Sequence, residues 1–369
     1  MEVAVEAGNS ERGRGCQLMK AYPWSEEEMD RLLNLMSARF DQSMDEAKLL
    51  KGRKMHIESK ESEPDPSDLA VFAARKRWMD KWFKKCGPLE MLTEILSMPF
   101  TYIRAPNCAY PCNTLQIYSV EFAHISGGLN WPLDVFGTIA VRDSADHNLN
   151  IVYCRTRDTC QTLTELDQSL TLTGPSRAVV LDPKTHAVTL EVELKVKGTN
   201  ESEDKYLSFL AEEMMLPPGF NYFGFNSKLS SLHFALENVV DSVEATIFIK
   251  VVEGSWPVGV YGRISATIYG SHTVDLLKFG SDNVPVGVDG DVELSRRVVS
   301  VEVDKVLELD VRYRDRERVH GDEVAYLLSF KAAKNGRSIA NIDLCTCNLE
   351  VLVVWSVVSP VLHGTVSWL

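Results

Sequence analysis

Residues 131-WPLDVFGTI-139 return, 125 residues further along the chain, as 256-WPVGVYGRI-264. In each copy Leu or Val, Val, Gly and Ile alternate with other residues, the period-two pattern of a strand buried on one face. Two more pairs keep the same order: 190-LEVELKVKG-198 with 307-LELDVRYRD-315, and 206-YLSF-209 with 326-YLLSF-330. The offsets drift slightly, as changes in loop length would cause. Solenoid repeats have periods of ~20–50 residues, far shorter than this one. The pattern predicts two copies of one β unit of about 120 residues, either as tandem sandwiches or as two halves sharing one core.

Working outward, the surrounding sequence agrees with strands. Runs such as 115-LQIYSVEFAH-124, 187-AVTLEVELKVK-197, 243-VEATIFIKVV-252 and 349-LEVLVVWSVV-358 are rich in β-branched and aromatic residues. Clusters of Asp, Asn, Gly and Pro punctuate them. The fold class expected is mainly β: an internally duplicated antiparallel region, sandwich- or barrel-like, with an α-helical N-terminal extension.

That extension reads differently. Residues 1–22 are small, polar and charged without periodicity, and are expected to be flexible. Ser25 with Glu28 forms a capping box, and Met29, Leu32, Leu33, Met36 and Phe40 follow at helical spacing. Residues 51–66 are charged and end in Pro64-Asp65-Pro66, a linker signal. A second helix is predicted from Ser67, its N-cap, to Gly87, its C-cap. At ~100° per residue, Leu69, Phe72, Met79, Trp82 and Phe83 share a face, with Val71 and Trp78 on its edge. The expected organisation is a flexible N-terminus (1–22), a helical extension and linker (23–113), a first β unit (114–225) and a second (226–369).

Composition narrows the function. The 369 residues carry a formal net charge of −13. Residues 1–114 hold 17 Lys and Arg against 18 Asp and Glu, whereas residues 115–369 hold 22 against 34. Nucleic acid is a polyanion that demands a basic face, so the acidic β region is not expected to bind it. The N-terminus lacks a basic segment followed by an apolar run, and no stretch nears ~18 uninterrupted apolar residues. The expected location is the cytoplasm or nucleus, where the eight cysteines stay reduced.

The β region resembles an uncharacterised plant family, abundant in grasses and classed as a domain of unknown function. The resemblance rests on 115-LQIYSVEFA-123, on Val135-Phe136-Gly137 leading to 139-IAVRD-143, and on 149-LNIV-152, 173-TGPSR-177 and 243-VEATI-247. It covers about residues 115–358. It implies no known activity, and some relatives are joined to ribosome-inactivating domains, which implies a link to stress or defence. Those enzymes use a Glu-Ala-x-Arg core. Here 46-EAKL-49 and 244-EATI-247 both lack the Arg, so N-glycosidase activity is not expected.

Several constellations bear on chemistry. Cys108 and Cys112 are close-spaced, as are Cys154 and Cys160, but no zinc-like set of two ligand pairs emerges. No metal and no cofactor are expected. The best polar cluster is 142-RDSADHN-148, where Asp143, Asp146 and His147 crowd one loop. An acid/base pair there would suit catalysis, yet Asp, Asn and Ser also favour solvated turns, and no catalytic residue is assigned. Trp131 and Trp256 sit at loop-to-strand junctions, suited either to stacking on a ligand or to plugging one end of each unit.

The least ordinary feature is the second helix. Arg75, Lys76, Arg77, Lys81, Lys84 and Lys85 against Asp80 give residues 75–85 a local charge of +5. Arg77, Trp78, Lys81, Trp82, Lys84 and Lys85 are candidates for contact with a protein partner or a membrane surface. The expected function is a non-enzymatic interaction module recruiting a protein. The alternatives are an enzyme with an unrecognised site at Asp143, Asp146 and His147, or a membrane-surface protein.

Overall fold

The computed structural model describes residues 3–5, 17–19, 31, 34, 66–101, 105, 107–268, 272–280, 285–315, 323–344 and 346–359. Apart from positions 31 and 34, the helix expected over 25–40 lies outside the described residues. The linker 51–65 and most of residues 1–22 lie outside them too.

The described chain is mainly β, in several antiparallel sheets with one long helix and no closed barrel. In chain order the elements are β1 (Val3–Val5), β2 (Gln17–Met19), α1 (Pro66–Cys86), β3 (Cys112–Ile125), β4 (Leu133–Arg142), β5 (Leu149–Arg155), β6 (Gln161–Leu163), β7 (Val179–Val180), β8 (Ala187–Val196), β9 (Lys205–Met215), β10 (Gly219–Ser227), β11 (Ser230–Gly254), β12 (Val260–Ile268), β13 (Thr273–Phe279), β14 (Val298–Glu302), β15 (Val306–Asp315), β16 (Val324–Lys331), β17 (Asn335–Leu344) and β18 (Cys347–Ser356). They form two compact units. One comprises Glu26–Leu96, Leu115–Asn238 and Ser359–Leu369, and the other Met1–Ser25, Ser97–Thr114 and Val239–Val358.

In the helix-bearing unit, one sheet runs β5-β4-β8-β9, with β6 on β4. In its other sheet, β11 pairs with β10 and β3, and β7 follows β3. Alternate residues of the two sheets meet in one core: Val135, Ile139, Val192 and Leu194 with Leu115, Ile117, Phe122 and Phe234. This alternation is why these runs form strands, since each buries one face. Gly137 is required by close approach. Its φ is +123°, and a Cβ there would meet the Glu193 carbonyl oxygen at 2.1 Å.

The second unit contains the sheet β13-β12-β15-β16, and a ladder β17-β18-β11 with β14 also on β11. Gly262 on β12 stands opposite Tyr313 on β15, and a Cβ there would meet the Arg312 carbonyl oxygen at 2.0 Å. Trp256 is buried edge-on to Phe279, with ring centroids 5.2 Å apart.

Helix α1 starts one residue before the expected N-cap. Pro66 takes its first position, where the missing N–H goes unused in any helix. It ends as expected at Gly87, whose φ of +82° and N–H bond to the Phe83 carbonyl close the last turn.

The helix buries the edge of its apolar face rather than the middle. Val71 and Trp78 are buried and Trp82 is half-buried, whereas Leu69, Phe72, Met79 and Phe83 are 51%, 37%, 42% and 53% exposed. The helix is turned by about 100° from the apolar-inward orientation. The reason lies in β8 and β9, which offer carboxylates and rings rather than an aliphatic surface. Arg75 bonds Glu191 and Glu193 and lies over the Phe209 ring at 5.2 Å. These partners draw the polar and indole side of the helix inward.

Candidate functional site

The loop between β4 and β5, Asp143 to Asn148, holds the polar cluster seen in the sequence. It is buried, not a solvated turn: Asp143 is 2% exposed and Asp146 8%. The guanidinium that compensates them comes from Arg177, itself 2% exposed. Arg177 is bidentate on Asp143, at 2.5 and 3.0 Å, and reaches Asp146 at 3.1 Å. Its Nε donates to the Thr93 hydroxyl, which donates in turn to Asp146.

The carboxylates are filled from other sides as well. Asp143 accepts from the backbone N–H groups of Ala145 and Val180, at 3.1 and 2.8 Å. Asp146 accepts from the N–H of Asn148 at 3.0 Å. An ionised carboxylate has about four lone-pair sites, and Asp143 uses all four in bonds within the protein. Asp146 uses three in the same way. A general base or metal ligand needs an oxygen that faces its substrate or ion. These oxygens face the fold.

Two arginines and two indoles tie the helix to this loop. Arg142 pairs with Glu191 and donates to the carbonyls of His147 and Leu89. The Trp78 ring lies over its guanidinium at 4.4 Å, and the Trp78 Nε1–H donates to the His147 carbonyl at 3.0 Å. Burial pushes the Arg142 guanidinium below its ordinary range, and Glu191 opposes that shift. His147 sits at φ +58° in the left-handed region and stacks on Trp82. Burial lowers its imidazole pKa, and Asp143 partly offsets that shift.

Asp143, Asp146 and His147 are thus brought together with Trp78 and Trp82 of the helix. Of the helix residues named as candidates for contact, Trp78 is buried over Arg142 and Trp82 is half-buried on His147. Arg77, Lys81, Lys84 and Lys85 are exposed. Trp131 is half-buried against the core of its unit and does not join this cluster. Cys112 and Cys154 are buried, and Cys108 and Cys160 are half-buried. Among the described residues, no group of three or more His, Cys, Asp or Glu is placed to hold a metal ion. No described helix is long and apolar enough to cross a membrane.

Sequence reasoning missed Arg177, Thr93 and Glu191 as members of the cluster. Arg177 lies 34 positions from Asp143, and only folding brings it near. The one usable signal was the need of two buried carboxylates for a cation.

No curated protein matches the chain. Among solved structures, human GIVD cytosolic phospholipase A2 in complex with methyl gamma-linolenyl fluorophosphonate is similar at 10% identity and a TM-score of 0.22. The match covers 68% of this chain and 33% of that one, and so weak a likeness supports no inference. The family model for a domain of unknown function, DUF6598, matches residues 114–353, which include β4, the Asp143 loop and Arg177. The buried arginine–carboxylate network is therefore built almost wholly within a family domain to which α1 is fastened, and the chain belongs to the DUF6598 family.

Proposed function

We propose that the chain is a non-enzymatic interaction module that recruits a protein partner through the outward side of α1. The observation that carries this reading is the helix orientation. Trp78, Trp82 and Arg75 are spent on attachment, while Leu69, Phe72, Met79 and Phe83 are exposed beside Lys76, Arg77 and Lys84. Large apolar residues exposed together on one side of a helix mark contact surfaces. The enzyme alternative is disfavoured because the oxygens of Asp143 and Asp146 are held by Arg177, Thr93 and backbone donors.

The β region is proposed as an internal duplication that supplies the scaffold. The sheet orders β5-β4-β8-β9 and β13-β12-β15-β16 correspond, which supports this. So do Gly137 and Gly262, each pressed against a carbonyl of the next strand. Gly137 faces Leu194 and Gly262 faces Tyr313. That pairing differs by two residues from the sequence match of 190–198 with 307–315, and a slip of two keeps every side chain on its face. A role in stress or defence follows from the family resemblance alone.

The test is affinity capture from cell extract, comparing the full chain with its Phe72→Ser/Phe83→Ser variant. A stoichiometric protein retained by the first and lost by the second supports the module. Identical capture by both, or none, counts against it.

A further inference from the structure

We infer that the outward line of α1 is a seam for one amphipathic helix with acidic flanks, supplied by another protein. The inference rests on the interaction reading above and names the chemistry of the partner.

Spacing is the first argument. Leu69, Phe72, Lys76, Met79 and Phe83 follow each other by three, four, three and four residues. That is the a/d repeat of a helix-to-helix seam. At ~100° per residue the line is only about 80° wide, the narrow stripe of a coiled-coil contact. It is about 21 Å long at 1.5 Å per residue.

Charge is the second. Lys76 occupies a seam position; Ala73 and Asp80 flank the seam on the free side, with Arg77 and Lys84 just beyond them. Asp80 is the only acidic side chain between positions 69 and 85. The other edge abuts the sheet, where Phe72 meets Phe209 edge-on at 6.2 Å. A helix lying in the seam thus meets Lys76 within it and two cations against one carboxylate along its free side, so glutamates reaching Lys76, Arg77 and Lys84 would be matched.

The same facts weigh against other occupants. Lys76 is central between Leu69 and Phe83, so a second copy laid antiparallel would set Lys76 against Lys76. A bilayer favours a wider apolar face with tryptophans at the interface, and here both tryptophans of α1 point inward. The chain's own residues 25–40 carry Met29, Leu33, Met36 and Phe40 at seam spacing, with Glu26, Glu27 and Glu28. That segment is one outcome of the test.

The experiment titrates the full chain into a labelled, three-heptad synthetic peptide with Leu at a and d and Glu at e and g. Fluorescence anisotropy is read, and a matched peptide with Lys at e and g serves as comparison. The Glu peptide is expected to bind at least about tenfold tighter than the Lys peptide, and binding should weaken with added salt. The Phe72→Ser/Phe83→Ser chain, folded by circular dichroism, should lose at least about tenfold in affinity. Equal binding of both peptides overturns the acidic-partner assignment. If neither binds, the titration is repeated on the Met29→Ser/Leu33→Ser/Met36→Ser/Phe40→Ser chain. Binding that emerges there puts the chain's own segment in the seam and overturns a partner from another protein. Continued absence overturns the helical occupant altogether. Phosphatidylserine vesicles that bind the wild type, but not the Phe72→Ser/Phe83→Ser chain, in place of the peptide would overturn it for a lipid surface. Capture from extract that still depends on Phe72 and Phe83 would leave the broader module reading intact in each case.

Discussion

The indole of Trp82 lies flat on the imidazole of His147, with ring centroids 3.6 Å apart and 24° between the planes. One ring belongs to the helix and the other to the β4–β5 loop, so the pair is a joint. Its strength depends on the proton content of His147.

Burial lowers the His147 pKa in the folded state. The unfolded chain therefore takes up a proton first as pH falls, from about 6.5 downward. The stabilisation is complete above the unfolded pKa and is lost as pH falls through the window down to the folded one. Urea midpoints measured across that range should fall on acidification. His147→Asn tolerates the left-handed backbone and should flatten the slope. An unchanged slope would place the titration elsewhere.

Arg177→Ala should cost about 3–5 kcal/mol, because it strands two buried carboxylates without their cation. Removing a catalytic residue typically leaves stability equal or raised, so the sign separates attachment from catalysis. Chemical denaturation of wild type and variant decides it. The Asp146→Ala/His147→Ala double change should also lose stability.

The two sides of α1 should respond oppositely. Trp78→Ala removes a buried ring and its bond to the His147 carbonyl, with an expected loss of about 3–5 kcal/mol. Leu69→Ser and Phe83→Ser alter exposed residues and should change stability by no more than about 0.5 kcal/mol. Thermal melts of the three variants check the orientation. Equal destabilisation by Phe83→Ser would contradict the exposed face.

Gly137→Ala should destabilise by more than about 1 kcal/mol, since its backbone is left-handed and the Glu193 carbonyl fills the space a methyl needs. Gly128→Ala is a useful contrast. It is also left-handed, at φ +74°, but nothing lies within 4 Å of an added Cβ. The difference between their denaturation midpoints isolates the steric part.

Much of the β architecture was legible because strand burial is a local, period-two property. The runs at 115–124 and 243–252 each fall within a strand, and the run at 187–197 passes the end of its strand by one residue. The end of α1 was equally readable, because Gly87 answers to backbone geometry alone. The rotation of α1 was not. Apolar periodicity gives the side that prefers to be buried, but Glu191, Glu193 and Phe209 decided which side was. The Asp143 loop failed for a related reason. Its composition favours a turn, and it is one, but its burial depended on Arg177 arriving from a distant segment and on the helix covering it.

The backbone donors of Ala145, Asn148 and Val180 end on buried carboxylates, and α1 leans on the same assembly. Their amide hydrogens should exchange with solvent only when helix and loop open together, as one cooperative unit. A surface carried on such a unit is preorganised. A partner that meets it need not order the helix first, so less of its contact energy is offset by lost conformational entropy.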